Sequence, residues 1–142
     1  MEISAATIGG AVQEGELYFV KYGCSFGVAD HPHVCIKRNG QVLLLSTCSS
    51  KTDTAIRLAQ LNHYDSDTYP VFKKDSVNKL WKDETYVDCN KVWEIDEVQF
   101  GEYIKNGEIE LMAGVIDAAG MQRIATGIKK STQLSRRIQN LF

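Results

Sequence analysis

Residues 31–50 read HPHVCIKRNGQVLLLSTCSS, and this run predicts two neighbouring β-strands. Asn39-Gly40 lies between two apolar runs and favours a tight type I′ hairpin turn. The three consecutive leucines of the second run indicate a strand that is buried on both faces. An antiparallel pair that includes a central strand is therefore predicted.

Further short apolar runs surround this pair. Extended runs at residues 16–22, 69–72, 85–89, 92–95 and 101–105 predict additional strands. From residue 108 onward, apolar side chains recur every three or four positions, which is typical of helix. Because strands precede helix without βαβ alternation, the pattern predicts a mainly β, α+β protein built as a small antiparallel barrel.

One domain of 142 residues is expected. Residues 1–14 read as a loose leader or an added edge strand, because Gly9-Gly10 disfavours a helix. Residues 15–107 are assigned to the barrel and residues 108–142 to a helical C-terminal segment. Residues 51–67 form the longest polar insertion, with at most two helical turns.

Charge and cysteine content restrict the function classes. The net charge is −2, so any nucleic-acid site must be a local patch. The four cysteines have no CxxC spacing, which favours a reducing compartment, and Glu2 stands where a signal peptide would carry positive charge. The chain is therefore expected in the cytoplasm, without membrane insertion. It has no Walker A, GxGxxG, HExxH or GxSxG motif.

Two histidines and a hydroxyl cluster carry the candidate chemistry. His31 and His33 are two residues apart, so on a strand they face the same side and could act as an acid/base pair near pH 7. A zinc site at Cys24, His31, His33 and Cys35 is an alternative, as is a purely structural role for both histidines.

The second strand of the hairpin ends in the polar sequence STCSSK at residues 46–51. Its hydroxyls and Lys51 could hold a phosphate, one hydroxyl could act as a nucleophile if a base lay beside it, or the hydroxyls could simply cap turns. Basic pairs at residues 37–38, 129–130 and 136–137, with aromatic residues that include Trp81 and Trp93, could bind single-stranded RNA or form solvated surface.

The order of these segments resembles the MazF/PemK toxin family. The resemblance is carried by GELYFV at residues 15–20, the loop with Gly27, His31-Pro32 at the start of an apolar strand, and STCS at residues 46–49. The segment at residues 80–96 is similar to the second half of that family, and the likeness spans about residues 15–120.

The resemblance implies an SH3-like barrel that forms a homodimer and acts as a metal-independent endoribonuclease, inhibited by an antitoxin protein. It places the catalytic arginine position of the family on His31 and the catalytic threonine or serine on Thr47, with Ser49 as neighbour.

The resulting hypothesis is cleavage of single-stranded RNA without metal or cofactor. His31 and His33 would move protons, Thr47 and Ser49 would orient the phosphate, and Arg38 or Lys51 would stabilise charge. The alternative is a non-catalytic barrel that binds protein or nucleic acid.

Overall fold

The computed structural model describes residues 2–22, 24–74 and 82–142. Trp81, a candidate for RNA binding, and the start of the 80–96 segment lie outside these residues. The strands are β1 (Glu16–Val20), β2 (His31–Asn39), β3 (Val42–Ser49), β4 (Val71–Lys73), β5 (Glu84–Val87), β6 (Trp93–Asp96) and β7 (Ile109–Val115). The helices are α1 (Ala5–Gly10), α2 (Thr52–Asn62), α3 (Glu97–Lys105), α4 (Ala118–Lys130) and α5 (Arg136–Gln139), with a 3-10 turn at Ser66–Thr68.

The strands within the described residues form one antiparallel sheet in the order β4-β5-β3-β2-β1-β7, with β6 also beside β3. The sheet curls into a half-barrel, and helices cover it. The prediction of a mixed α+β protein with an antiparallel sheet is confirmed.

The β2–β3 hairpin is the centre of the sheet, as predicted. β3 pairs with β2 along one edge and with both β5 and β6 along the other. The turn differs from the prediction, because Asn39 pairs with Val42 and the two central residues are Gly40 and Gln41. Only Gly40 has positive φ, at 61°, which is the pattern of a type II′ turn rather than type I′.

Two apolar layers pack on opposite faces of the sheet. Leu44 belongs to the layer that contacts α4 and α5, whereas Leu43 and Leu45 belong to the layer that contains Phe100 of α3. All three leucines are fully buried. The leucine run therefore serves both layers, which confirms that β3 is a central strand.

The prediction of a loose leader at residues 1–14 is wrong, because residues 5–10 form α1 and pack on α3. A Cβ built on Gly9 would lie 1.7 Å from the Glu97 carbonyl oxygen, and one built on Gly101 would lie 2.0 Å from that of Ala5. The glycines that weaken the isolated helix thus allow the two backbones to touch. Tertiary packing overrides helix propensity here.

The predicted helices and strands also differ from the observed ones on both sides of residue 107, the predicted end of the barrel. Residues 101–105 are helical in α3, whose N-cap is Asp96, and residues 52–62 make the three-turn helix α2. Within the predicted helical segment 108–142, residues 109–115 instead form β7, which pairs with β1. The spacing of apolar residues in β7 fits both the helical and the strand period, and its pairing with β1 makes it a strand.

Candidate active site

An open cleft lies at the end of the β2–β3 hairpin opposite the turn, and its volume is about 400 Å³. It brings together four of the six predicted site residues: His31, Thr47, Ser49 and Lys51. Its other lining residues are Val28, Cys48, Thr54, Tyr86, Asp88 and Lys91. The cleft forms because β2 begins where β3 ends, and α2 and β5 continue from the same edge.

His31 is held by the backbone at the start of β2. Its Nδ1 donates a hydrogen bond to the Ala29 carbonyl oxygen at 2.9 Å. Because a carbonyl can only accept, Nε2 is the nitrogen that can gain or lose a proton. Asp30, with φ of 60°, makes the sharp bend before His31, and its amide donates to the Val20 carbonyl oxygen. The local fold therefore fixes one ring nitrogen and leaves the other for chemistry.

Thr47 and Ser49 are both held by neighbours in the cleft wall. The indole Nε1 of Trp93 donates to Thr47 Oγ1 at 3.3 Å, so the threonine hydroxyl can still donate its own proton. Ser49 accepts a hydrogen bond from the Lys51 amide at 3.3 Å and also bonds the Tyr86 side chain. These contacts fix the positions of the two hydroxyls in the cleft wall.

Asp88 adds a carboxyl group that the sequence analysis missed. Its amide donates to the Thr47 carbonyl oxygen at 3.0 Å, and its Oδ1 accepts from the Asn90 amide at 2.9 Å. Burial raises its pKa above the usual value, although the Asn90 hydrogen bond and the charge of Lys91 act in the opposite direction. A carboxyl group with a raised pKa that lines the same cleft as a histidine is a candidate proton donor.

The cleft is suited to an anion. Lys51 and Lys91 line it together with His31, whereas Asp88 is the one carboxyl residue among its lining residues. The Nζ of Lys91 lies 4.3 Å from the ring centroid of Trp93, which keeps this lysine against the same indole that binds Thr47. The first turn of α2 also faces the cleft through Thr54, and a helix N-terminus carries partial positive charge.

His33 does not reach the cleft, which contradicts the prediction of a His31/His33 proton pair. Its side chain is 0% exposed, its Nδ1 donates to the His31 carbonyl oxygen at 3.0 Å, and its Nε2 accepts from the Val28 amide at 3.1 Å. Burial lowers its pKa to about 4 and keeps it neutral. His33 therefore holds the loop that contributes Val28 to the cleft.

That loop fits tightly over His33 at Gly27. Gly27 has φ of 72°, and a Cβ built there would lie 2.6 Å from Nε2 of His33. The ring of Phe26 also contacts His33, with ring centroids 6.2 Å apart. A side chain at residue 27 would collide with the His33 nitrogen that accepts the Val28 hydrogen bond, so this position requires glycine.

Arg38 is likewise outside the cleft, and its predicted role in substrate binding does not fit its contacts. It lies near the turn of the hairpin and forms an ion pair with Glu97 of α3. Its guanidinium also donates to the carbonyl oxygens of Gly9 and Val12, at 2.6 and 2.8 Å. The guanidinium therefore joins α1, α3 and the hairpin.

The alternative of a zinc site gains no support from the geometry. Within residues 2–22, 24–74 and 82–142, no three His, Cys, Asp or Glu side chains are grouped so that they could hold a metal ion. Cys35 is buried in the apolar layer with Phe100, and burial raises its thiol pKa to about 12. All four cysteines are free thiols.

The comparisons with known proteins give no match, either to a family model or to a curated protein. The resemblance to MazF/PemK toxins therefore stays a prediction. Of the helices in the described part of the chain, none has the length and apolar character needed to cross a membrane.

Proposed function

We propose that the cleft binds a phosphodiester of single-stranded RNA and cleaves it, and that the chain is a metal-independent endoribonuclease of the toxin–antitoxin type. The observation that carries the proposal is the composition of one cleft: His31 and Asp88 can exchange protons, Thr47 can donate to a phosphate oxygen, and two lysines supply positive charge. These groups match the needs of RNA cleavage by its own 2′-hydroxyl.

In the proposed reaction, Nε2 of neutral His31 accepts the proton of the 2′-hydroxyl. The 2′-oxygen attacks the adjacent phosphorus, and the bond from phosphorus to the 5′-oxygen breaks. Asp88, in its protonated form, donates a proton to the leaving 5′-oxygen, and burial favours that form because it raises the pKa of this carboxyl. The products are a 2′,3′-cyclic phosphate and a 5′-hydroxyl end.

The remaining cleft residues act on the phosphate. The Thr47 hydroxyl donates to a non-bridging oxygen while its own oxygen is fixed by Trp93. Lys51 and Lys91 stabilise the negative charge that grows on the phosphorane. Ser49 and Tyr86 complete the wall through their shared hydrogen bond. Asp88 thereby takes the role that the sequence analysis assigned to His33.

The curled antiparallel sheet supports the finer proposal of an SH3-like barrel, since a long central hairpin bounded by short strands suits such a fold. The homodimer and the antitoxin partner follow from the resemblance, and the cytoplasmic location follows from the cysteine pattern and Glu2; all three belong to the same proposal. β7, the terminal strand of the described sheet, carries exposed Leu111 and Val115 and is a candidate surface for either partner.

A second candidate function is RNA binding without cleavage. The observation that favours it is His31 at the position where the resemblance implies arginine, because an arginine gives permanent charge and bidentate phosphate contact, whereas a histidine is charged conditionally. This function needs the lysines and hydroxyls of the cleft but not proton exchange at His31.

The test is incubation of the purified protein with long single-stranded RNA in the presence of a chelator. We expect fragments with 2′,3′-cyclic phosphate and 5′-hydroxyl ends, and a rate that falls about 100-fold or more in His31→Ala and Thr47→Ala. The exposed His63→Ala variant is the matched control and should cleave normally. Salt-dependent binding of intact RNA would instead support the non-catalytic function, and neither cleavage nor binding would refute both.

A further inference from the structure

A second pocket lies directly beside the cleft, on the other side of α2. Its volume is about 200 Å³, and apolar and aromatic side chains form most of its wall: Ala55, Ala59, Tyr64 and Tyr69. Gln60 and Ser66 add polar groups to it. We name it the α2 pocket. Neither the hairpin nor the proposed cleavage reaction uses it.

The α2 pocket and the cleft share two walls. Thr54 lines the cleft, and the next residue of the same helix, Ala55, lines the pocket. Tyr69 of the pocket and Tyr86 of the cleft pack edge to face, with ring centroids 5.8 Å apart and planes at 73°. Ala55 and Ala59 are one helical turn apart, about 6 Å along the axis. The two cavities are therefore neighbours across the first turns of α2 and the packed Tyr69–Tyr86 pair.

The chemistry of the α2 pocket suits a planar ring with polar edges. Tyrosine rings stack on nucleobases of any sequence, and Tyr64 is the partly exposed ring of this pocket, whereas Ala55, Ala59 and Tyr69 are buried against one another. The Gln60 amide can both donate and accept, as the edge of a base requires. A purely apolar ligand in this pocket would leave the polar groups of Gln60 and Ser66 without hydrogen-bond partners.

We propose that the α2 pocket holds one nucleobase of the RNA whose phosphate lies in the cleft. The inference rests on the proposed function, because the anionic group beside the base is what the cleft lysines recognise. It makes α2 a determinant of substrate choice: Lys51 and Thr54 contact the backbone side, and Ala55, Ala59 and Gln60 contact the base.

The first experiment uses NMR of alanine methyl groups in the full chain, with each of the four nucleoside 5′-monophosphates as probes and ribose 5-phosphate as reference. We expect the Ala55 and Ala59 methyl signals to shift with at least one nucleotide and not with ribose 5-phosphate. Ala59→Leu, which fills the pocket, should abolish the shift at Ala55. Ala113→Leu is the matched control, since Ala113 is exposed on β7, at the opposite edge of the sheet from β4.

The second experiment measures cleavage of RNA that lacks one base next to the cleaved bond. We expect removal of the base that occupies the pocket to lower kcat/KM about tenfold or more, as loss of a stacked base does. Equal cleavage of abasic and intact RNA, with methyl signals that do not move or that move equally with ribose 5-phosphate, would overturn the inference and leave the nuclease intact. RNA that is neither cleaved nor bound would overturn both.

Discussion

The two ends of the β2–β3 hairpin differ in how their polar groups are used. At the turn end, the Arg38 guanidinium forms an ion pair with Glu97 and donates to the carbonyl oxygens of Gly9 and Val12. The Arg38 amide donates to the Glu14 carboxylate. At the cleft end, Nε2 of His31 and the hydroxyl proton of Thr47 lie beside a cavity of about 400 Å³.

The difference separates structural residues from candidate catalytic ones. A polar group whose hydrogen-bonding capacity is used within the fold contributes to stability, and its loss leaves partners unsatisfied. A polar group held by one atom, with another atom facing a cavity, can act on a ligand. By this criterion His31 and Thr47 belong to the site, and Arg38 and His33 belong to the scaffold.

The largest effect is expected from Arg38→Ala at the turn end. The substitution leaves Glu97, whose side chain is only 17% exposed, without its partner and removes the donors from two carbonyl oxygens. The free energy of unfolding should fall by about 3 kcal/mol, as for other buried ion pairs from which one partner is removed. Urea denaturation of the variant and the wild type measures the difference.

Arg57→Ala serves as the control for Arg38→Ala, because Arg57 is exposed on α2 and alanine favours helix. It should change stability by less than about 0.5 kcal/mol. If Arg38→Ala proved as stable as the control yet bound RNA more weakly, the turn end would have to be reassigned from scaffold to binding surface.

The next effect is a loss of stability in acid that depends on His33. The pKa of His33 is about 4 in the folded chain, whereas an unfolded histidine has a pKa near 6.5. Between these pH values, the unfolded chain binds a proton at His33 and the folded chain does not. The contribution of His33 is therefore complete above pH 6.5 and decreases by about 1.4 kcal/mol per pH unit as the pH falls. At pH 5 about 2 kcal/mol should be lost.

Urea denaturation at pH 7 and pH 5 tests this loss when wild type is compared with His33→Asn. The variant is less stable at pH 7, but the additional loss at pH 5 should shrink by about 2 kcal/mol, because asparagine does not titrate. His63→Asn is the control, since His63 is exposed at the left-handed end of α2, where asparagine fits. An equal pH dependence in wild type and His33→Asn would show that His33 does not carry the effect.

The hairpin was predictable because its signals are local. The two apolar runs, the Asn-Gly pair and the three leucines predicted β2, β3 and the central place of β3, and the ends of these strands then brought His31 near Thr47 and Ser49. The packing of α1 on α3 was not predictable, because it depends on contact between Gly9 and Gly101, which are far apart in sequence.

The candidate site shows the same limit. Asp88 and Lys91 reach the cleft because β5 pairs with the last residues of β3, and no local pattern reports that pairing. The spacing of His31 and His33 correctly indicated a shared strand, but not that the loop with Gly27 covers the second ring. A carboxylate near the end of the predicted strand at residues 85–89 was the available signal for Asp88.

The smallest effect is expected at the cleft end, from Lys51→Ala. Lys51 is exposed and precedes α2, so its removal should leave folding unchanged and weaken binding of non-cleavable 2′-O-methyl RNA about twofold to fivefold. One phosphate contact on a single strand contributes about 0.7 to the slope of log affinity against log salt concentration, and the slope should fall by that amount. The control is Lys73→Ala, which removes an exposed lysine of β4 that does not line the cleft. Fluorescence anisotropy over a salt series measures both slopes, and equal slopes for the two variants would mean that the RNA backbone does not pass Lys51.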